Sequence, residues 1–316
     1  QAELERLYHA LMEKSEEFNH VIKMGRTQLQ DAVPIRLGQE FHAYATAIRR
    51  DINRFDRAKE EMRHLNLGGT AIGTGLNADV KYLQRVVKNI SLISGLELIQ
   101  AYDLIDATQN LDGYVACSGI AKSCAVNLSK MCNDLRLMSS GPRTGLGEIN
   151  LPAKQNGSSI MPGKVNPVIP EVVNQVAFHV IGNDMTVAMA AEAGQLELNA
   201  FEPIIFYKLF QSVETIACAV HTLVDNCISG ITANEQHCKD MVENSVGIIT
   251  AICPYVGYEK AANVAKEAIR TGKSVRELVI RDKLLTKEQL DIILNPVSMT
   301  EPGISGIEAM NKMGGL

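Results

Sequence analysis

The sequence predicts an all-α protein, an elongated central bundle of long helices with a smaller C-terminal helical domain. Three observations lead there. Apolar residues recur at helical spacing through three long segments, 106–139, 170–199 and 203–228. Alternating β-branched runs bounded by turn residues, the mark of strands, are scarce. After Gly230 the segments shorten and are broken by Pro254, Gly257, Gly272 and Pro296. This texture change gives a bundle domain over 1–229 and a small domain over 230–316.

The elements follow in order. Leu4, Leu7, Leu11, Met12, Phe18, Val21 and Ile22 form one stripe of a first helix, which breaks at Gly25. Pro34 and Gly38 mark a turn, with Thr27 and Gln28 just beyond the break. Residues 37–65 are helix-periodic, opposite a charged face carrying Arg49, Arg50, Arg54 and Arg57. The glycines of LNLGGTAIGTGLN do not meet the dinucleotide spacing, and no strand precedes them. A shorter amphipathic helix covers 79–94. The three long segments come next and carry more apolar circumference than one bundle covers, so subunits are expected to share a core. In the C-terminal part, Ser274-x-x-Glu277 and Thr286-x-x-Gln289 are capping-box starts.

Composition narrows the function. With 316 residues, 46% hydrophobic and 21% charged, the chain has an ordinary globular make-up. A net charge of -5 argues against nucleic acid, whose phosphates require a basic surface. No apolar run reads as a membrane span, and no secretory signal opens the chain. The seven cysteines form no CxxC pair and read as reduced core residues of a cytoplasmic protein. The histidines show no metal-ligand spacing, so no catalytic zinc is expected; no cofactor is expected either.

The chemistry concentrates in Gly157-Ser158-Ser159-Ile160-Met161-Pro162-Gly163-Lys164-Val165-Asn166-Pro167. Its glycines and prolines exclude a regular helix or a central strand. It places two hydroxyls, an ammonium and an amide within ten residues, between long helices. It is not a P-loop: the spacing from Gly157 to Gly163-Lys164 is one residue too long, and no Ser or Thr follows the lysine.

GSSIMPGKVNP resembles the signature loop of the aspartase/fumarase superfamily. GRTQLQDAVP, GGTAIGTGLN, NDLRLMSSGPR, EAGQLELN (192–199) and GYEKAA look like further segments of that family, in order. The ammonia-lyase branch fits best. Fumarases usually carry His-Thr where this chain has Gln28-Leu29, and an SNGHFELN-like stretch where it has EAGQLELN.

The resemblance implies reversible elimination of ammonia from L-aspartate to give fumarate, with Ser158 as the general base. Thr27, Gln28, Ser159, Met161, Lys164 and Asn166 are the implied substrate-binding residues. Thr27 and Gln28 would come from another subunit of a homotetramer. Glu171 falls where family members pair a carboxylate with the residue at Gln28. Because Gln28 cannot titrate, a helix-start carboxylate is at least as good a reading of Glu171. Family members also have an N-terminal domain that completes the site, which nothing in 1–316 resembles; the chain therefore reads either as a fragment of a longer protein or as one whose N-terminal domain is a separate piece. The alternatives are a fumarate hydratase of the same superfamily and a non-catalytic helical oligomerisation core.

Overall fold

The computed structural model describes residues 1–155, 161 and 163–313. Among them are thirteen α-helices and three two-stranded pairings, in line with the all-α expectation. The chain divides into two compact units. Unit 1 is Gln1–Ala10, Tyr44–Arg136 and Pro152–Gly230; unit 2 is Leu11–Ala43, Leu137–Leu151 and Ile231–Leu316. The change of texture at Gly230 falls on a border between units, and unit 2 also recruits two earlier segments.

The order is α1 (Ala2–Glu17), β1 (Ile22–Thr27), β2 (Gln30–Arg36), α2 (Leu37–Glu61), β3 (His64–Leu65), α3 (Val80–Ser94), β4 (Ile99–Gln100), α4 (Asp106–Gln109), α5 (Asp112–Met138), β5 (Ile149–Asn150), α6 (Val168–Glu192), α7 (Glu202–Asn226), β6 (Thr232–Ala233), α8 (Glu235–Asn244), α9 (Ile249–Val256), α10 (Tyr258–Thr271), α11 (Val275–Arg281), α12 (Lys287–Ile293) and α13 (Ile307–Lys312).

Unit 1 is built on long helices. On α6, Val173, Ala177, Val180 and Val187 are buried at spacings of three, four and seven, which is one face of a helix. They belong to the face packed along α7, whose buried stripe includes Ile205, Leu209, Ile216 and Leu223. Buried polar groups fix how the helices mate. The Asp51 carboxylate accepts from Asn127 Nδ2 at 2.9 and 3.0 Å and from Arg54 Nη1 at 2.6 Å. Asn174 Nδ2 donates to the Ser129 carbonyl at 3.1 Å, and Asn183 Nδ2 to Ser212 Oγ at 3.1 Å. The bonds of Asn127, Asn174 and Asn183, which run between helices, would be lost on a slip of one helical turn. Between α6 and α7 the buried Asn199 acts as a double cap. Its amide donates to the carbonyls of Ala190 and Ala191, and its oxygen accepts from the Phe201 N–H.

Two expectations need correction. The sequence reads 22–36 as a helix break and a turn, but the structure makes it an antiparallel hairpin. Strand alternation is hidden there because the register shifts between Met24, opposite Pro34, and Arg26, opposite Asp31. Gly38, read as a turn residue, sits instead in the first turn of α2. A Cβ at that position would lie 2.3 Å from the Ser15 carbonyl oxygen, so only glycine admits this approach. The second correction concerns membrane spans. Glu202–Gly230 is long and apolar enough to cross a bilayer by length and composition. Its buried stripe against α6 is equally what the core helix of a bundle requires.

Unit 2 packs Val242, Ile248, Ile252, Val264, Leu278, Leu290 and Ile293 into one core, and Met24 of β1 joins them. This anchor ties the hairpin to the C-terminal segment. Ser274 Oγ accepts from the Glu277 N–H, and Thr286 and Gln289 form a full capping box, as their spacing predicts.

Candidate active site

The described candidates fall into one group in each unit. In unit 2, β1 and β2 pair Thr27 with Gln30, leaving Gln28 and Leu29 as a two-residue turn. Their φ angles are +54° and +62°. Left-handed backbone at both central residues is the type I′ pattern, normally filled by Asn and Gly. For ordinary L-residues it costs about 1–2 kcal/mol each. Thr27, Gln28 and Leu29 are exposed, Leu29 at 68%. The tip thus holds two polar side chains outward on a strained backbone, and strain of this kind gathers at functional sites.

Beneath the tip lies a buried set of charges that sequence reasoning missed. Glu148 is fully buried, and its Oε1 accepts from Arg26 Nη1 at 2.6 Å. Lys23, 3% exposed, donates to both oxygens of Glu40 at 2.9 and 3.0 Å and to Met138 Sδ. Its ammonium is also 3.0 Å from Glu148 Oε2, yet that oxygen accepts no hydrogen bond. The distance signals charge attraction without a directional bond, since Lys23 spends its donors on Glu40 and Met138. Two cations thus face two carboxylates, as burial of charge demands. Arg26 Nε also lies 3.9 Å from Asp31 across the hairpin, and Asp31 accepts from Ser245 Oγ at 2.7 Å. Only a charged residue inside an apolar context, here Glu148 in GLGEINLP, could have signalled this network in the sequence.

In unit 1, Met161, Lys164 and Asn166 lie on the described part of the signature loop. The Lys164 N–H donates to the Met161 carbonyl at 3.3 Å, and the Val168 N–H to the Asn166 carbonyl at 2.9 Å. Gly163 between them has φ +82°, a conformation that suits glycine. Lys164 is exposed and has no ion pair among the described residues. Ser158 and Ser159 lie outside the described residues. Glu171 is in the first turn of α6, with Arg136 Nη2 at 3.7 Å. That position and that partner suit a carboxylate favoured by the helix dipole.

A cavity of about 1160 Å³ opens elsewhere in unit 2, lined by α8 and by residues from Leu294 to Val297, and it includes none of the candidates. The polar side chains that point to chemistry carry more weight here than the size of a cavity. Among the described residues, no group of three or more His, Cys, Asp or Glu side chains is placed to hold a metal ion.

Two protein-family models match the chain, one described as lyase over residues 1–182 and one as fumarase C C-terminus over 248–301. The chain belongs to the aspartase/fumarase superfamily. Among curated members, it is 55% identical over 309 residues to the aspartate ammonia-lyase of Bacillus subtilis, covering 98% of this chain and 65% of that protein. It is 57% identical over 301 residues to that of Helicobacter pylori, covering 95% and 64%. The chain therefore spans about 65% of the length of these superfamily relatives. Among solved structures, a fumarate lyase:delta crystallin from Brucella melitensis bound to cobalt superposes with a TM-score of 0.92 at 52% identity, over 96% of this chain and 65% of that one. A class II fumarase from Schistosoma mansoni gives 0.90 at 33% identity, over 95% and 66%.

Proposed function

We propose that this chain acts as an aspartate ammonia-lyase, eliminating ammonia from L-aspartate to give fumarate. The observation that carries the reading is its 55% identity to an aspartate ammonia-lyase over nearly its whole length, against 33% to a class II fumarase. Gln28 points the same way. Its amide donates and accepts but takes no proton at neutral pH, so it suits a grip on a carboxylate or an amine and not the activation of water.

The chemical difficulty is the Cβ proton, held beside a carboxylate that is already negative. Ser158, as an alkoxide, removes that proton. The electron pair moves into the adjacent carboxylate, giving a dianionic aci-carboxylate that preorganised donors must stabilise. Collapse of the dianion forms the C=C bond and breaks the C–N bond, and the protonated amine leaves as neutral ammonia. Lys164 and Asn166 hold the substrate carboxylates, and Ser159 and Met161 line the site. Thr27 and Gln28 reach substrate from another copy of the chain, within a homotetramer. Glu171 keeps a structural role at the start of α6. Apolar side chains left open on α6 and α7, Phe178, Met185 and Phe210 among them, support the shared helical core. Seven free thiols support a cytoplasmic, reducing location.

The test presents L-aspartate and then L-malate to the native protein and follows the absorbance of fumarate. The expected result is turnover of aspartate with little of malate; the reverse preference would make the chain a fumarate hydratase. Ser158→Ala should lower kcat by about 10²–10⁴-fold, the range for a lost general base. Lys164→Ala should lower kcat/KM by roughly 10–100-fold, the worth of one charge-assisted contact. A variant at Lys164 that changed only thermal stability would remove the residue from the site.

A further inference from the structure

We infer that Glu148, acting through Arg26, is a positioning residue that holds the Gln28–Leu29 turn in its substrate-binding form. This rests on the reading of Thr27 and Gln28 as substrate ligands. Two independent observations meet here. The tip carries two consecutive non-glycine residues in left-handed backbone, a conformation that relaxes unless the surroundings over-determine it. Directly at its base, Arg26 and Asp31 face each other across the strands and each is anchored: Arg26 donates to fully buried Glu148 at 2.6 Å, and Asp31 accepts from the Ser245 hydroxyl at 2.7 Å.

Stability alone does not account for this set. Desolvating carboxylates and cations consumes most of what their attraction returns, so a well-packed apolar group of the same shape does as well or better. What apolar packing does not supply is direction. A guanidinium bonded to one carboxylate oxygen fixes the rotation of the strand that carries it. Arg26 is the residue immediately before Thr27 and two before Gln28. The bulge between Met24 and Arg26 makes that orientation necessary, because it releases the strand from regular ladder geometry just below the tip. Lys23 is engaged by Glu40 and Met138, so the only hydrogen bond from the hairpin to the Glu148 carboxylate among the described residues is that of Arg26.

The experiment is a double-mutant cycle on the native protein with L-aspartate as substrate. Glu148→Gln keeps shape but removes charge, and Gln28→Ala removes the ligand. If Glu148 acts through the turn, Glu148→Gln should raise KM about tenfold with kcat little changed, as loss of a grip made equally in ground and transition states predicts. The same change in the Gln28→Ala background should then add little, because the two act as one unit. Hydrogen exchange should accelerate over residues 26–31 and not over α7. Full additivity of the two variants would overturn the inference. So would unchanged KM with only a lower Tm, or unchanged exchange at the hairpin. Should Glu148→Gln fail to fold, Asp31→Asn at the exposed side of the clamp takes its place in the same cycle, with the same outcomes. A Gln28→Ala variant with unaltered kinetics would separately remove the turn from the substrate site, and with it the basis of the clamp.

Discussion

At Leu29 the side chain and the backbone are at odds. Its φ of +62° is the territory of glycine, and its side chain is 68% exposed, so little packing offsets the strain. Leu29→Gly should therefore stabilise the fold. Relief of about 1–2 kcal/mol of left-handed strain outweighs the extra freedom of glycine in the unfolded chain, about 0.4–1 kcal/mol. The net, about half to one kcal/mol, should appear as a higher Tm; a lower one would mean that Leu29 makes a contact in the assembled protein. Gly38 shows the opposite case. Gly38→Ala drives a methyl to 2.3 Å from the backbone of α1, where no side chain can swing aside. The expected loss is about 1–3 kcal/mol or more, as for overpacking, read by denaturant midpoint. Both sites stand within ten residues of each other, and neither is distinguishable from an ordinary turn position by residue type alone.

The long helices were legible because their signal is periodic and redundant: α3 and α7 lie within two residues of the ranges read from apolar spacing, and α6 begins as closely but ends at Glu192, short of Asn199. The segment 106–139 is divided by a break at Asn110 and Leu111 into α4 and α5, a detail that periodicity passes over. The N-cap of α11 and the capping box of α12 were legible from four residues each. The hairpin was not. Six- and seven-residue strands with a bulge and a proline leave too few alternating positions to count, and its burial is decided by partners more than 200 residues away, such as Val242 against Met24. The site divided in the same way. Its candidate loop residues are contiguous and could be singled out from sequence, whereas Glu148 acquires meaning only beside Arg26 in space. Helix α5 also carries a testable pH response. Burial pushes the Cys117 thiol up to about 11, and those of Cys227 and Cys238 to about 12; Cys124 and Cys132 shift upward too. A raised pKa in the folded state means full stability below the ordinary thiol value near pH 9. Above it the unfolded chain ionises first, and stability falls until the folded pKa is reached. Each buried thiol should then remove about 1.4 kcal/mol per pH unit between roughly pH 9 and 11. Melts across that window, with and without Cys117→Ala, read the contribution of this thiol directly.

On the scale of the whole molecule, the open apolar faces of α6 and α7 lead to an assembly prediction. Phe178 is 64% exposed, Met185 64% and Phe210 67% in the single chain. Phe178→Glu should weaken self-association by about a hundredfold or more, since an unpaired charge would be buried against an apolar partner. Light scattering on dilution reads this, and an unmodified protein that stays monomeric at micromolar concentration would contradict the shared core. The interleaving of the two units has a consequence in time. Leu11–Ala43 belongs to the same compact unit as Ile231–Leu316, which leaves the ribosome roughly 190 residues later. At about 5–20 residues per second the hairpin and its buried Met24 wait some 10–40 seconds for the core they join. During synthesis this early segment is an apolar surface without a partner, so it is the part of the chain that most needs shelter from chaperones, and the part from which misassembly between nascent chains would start.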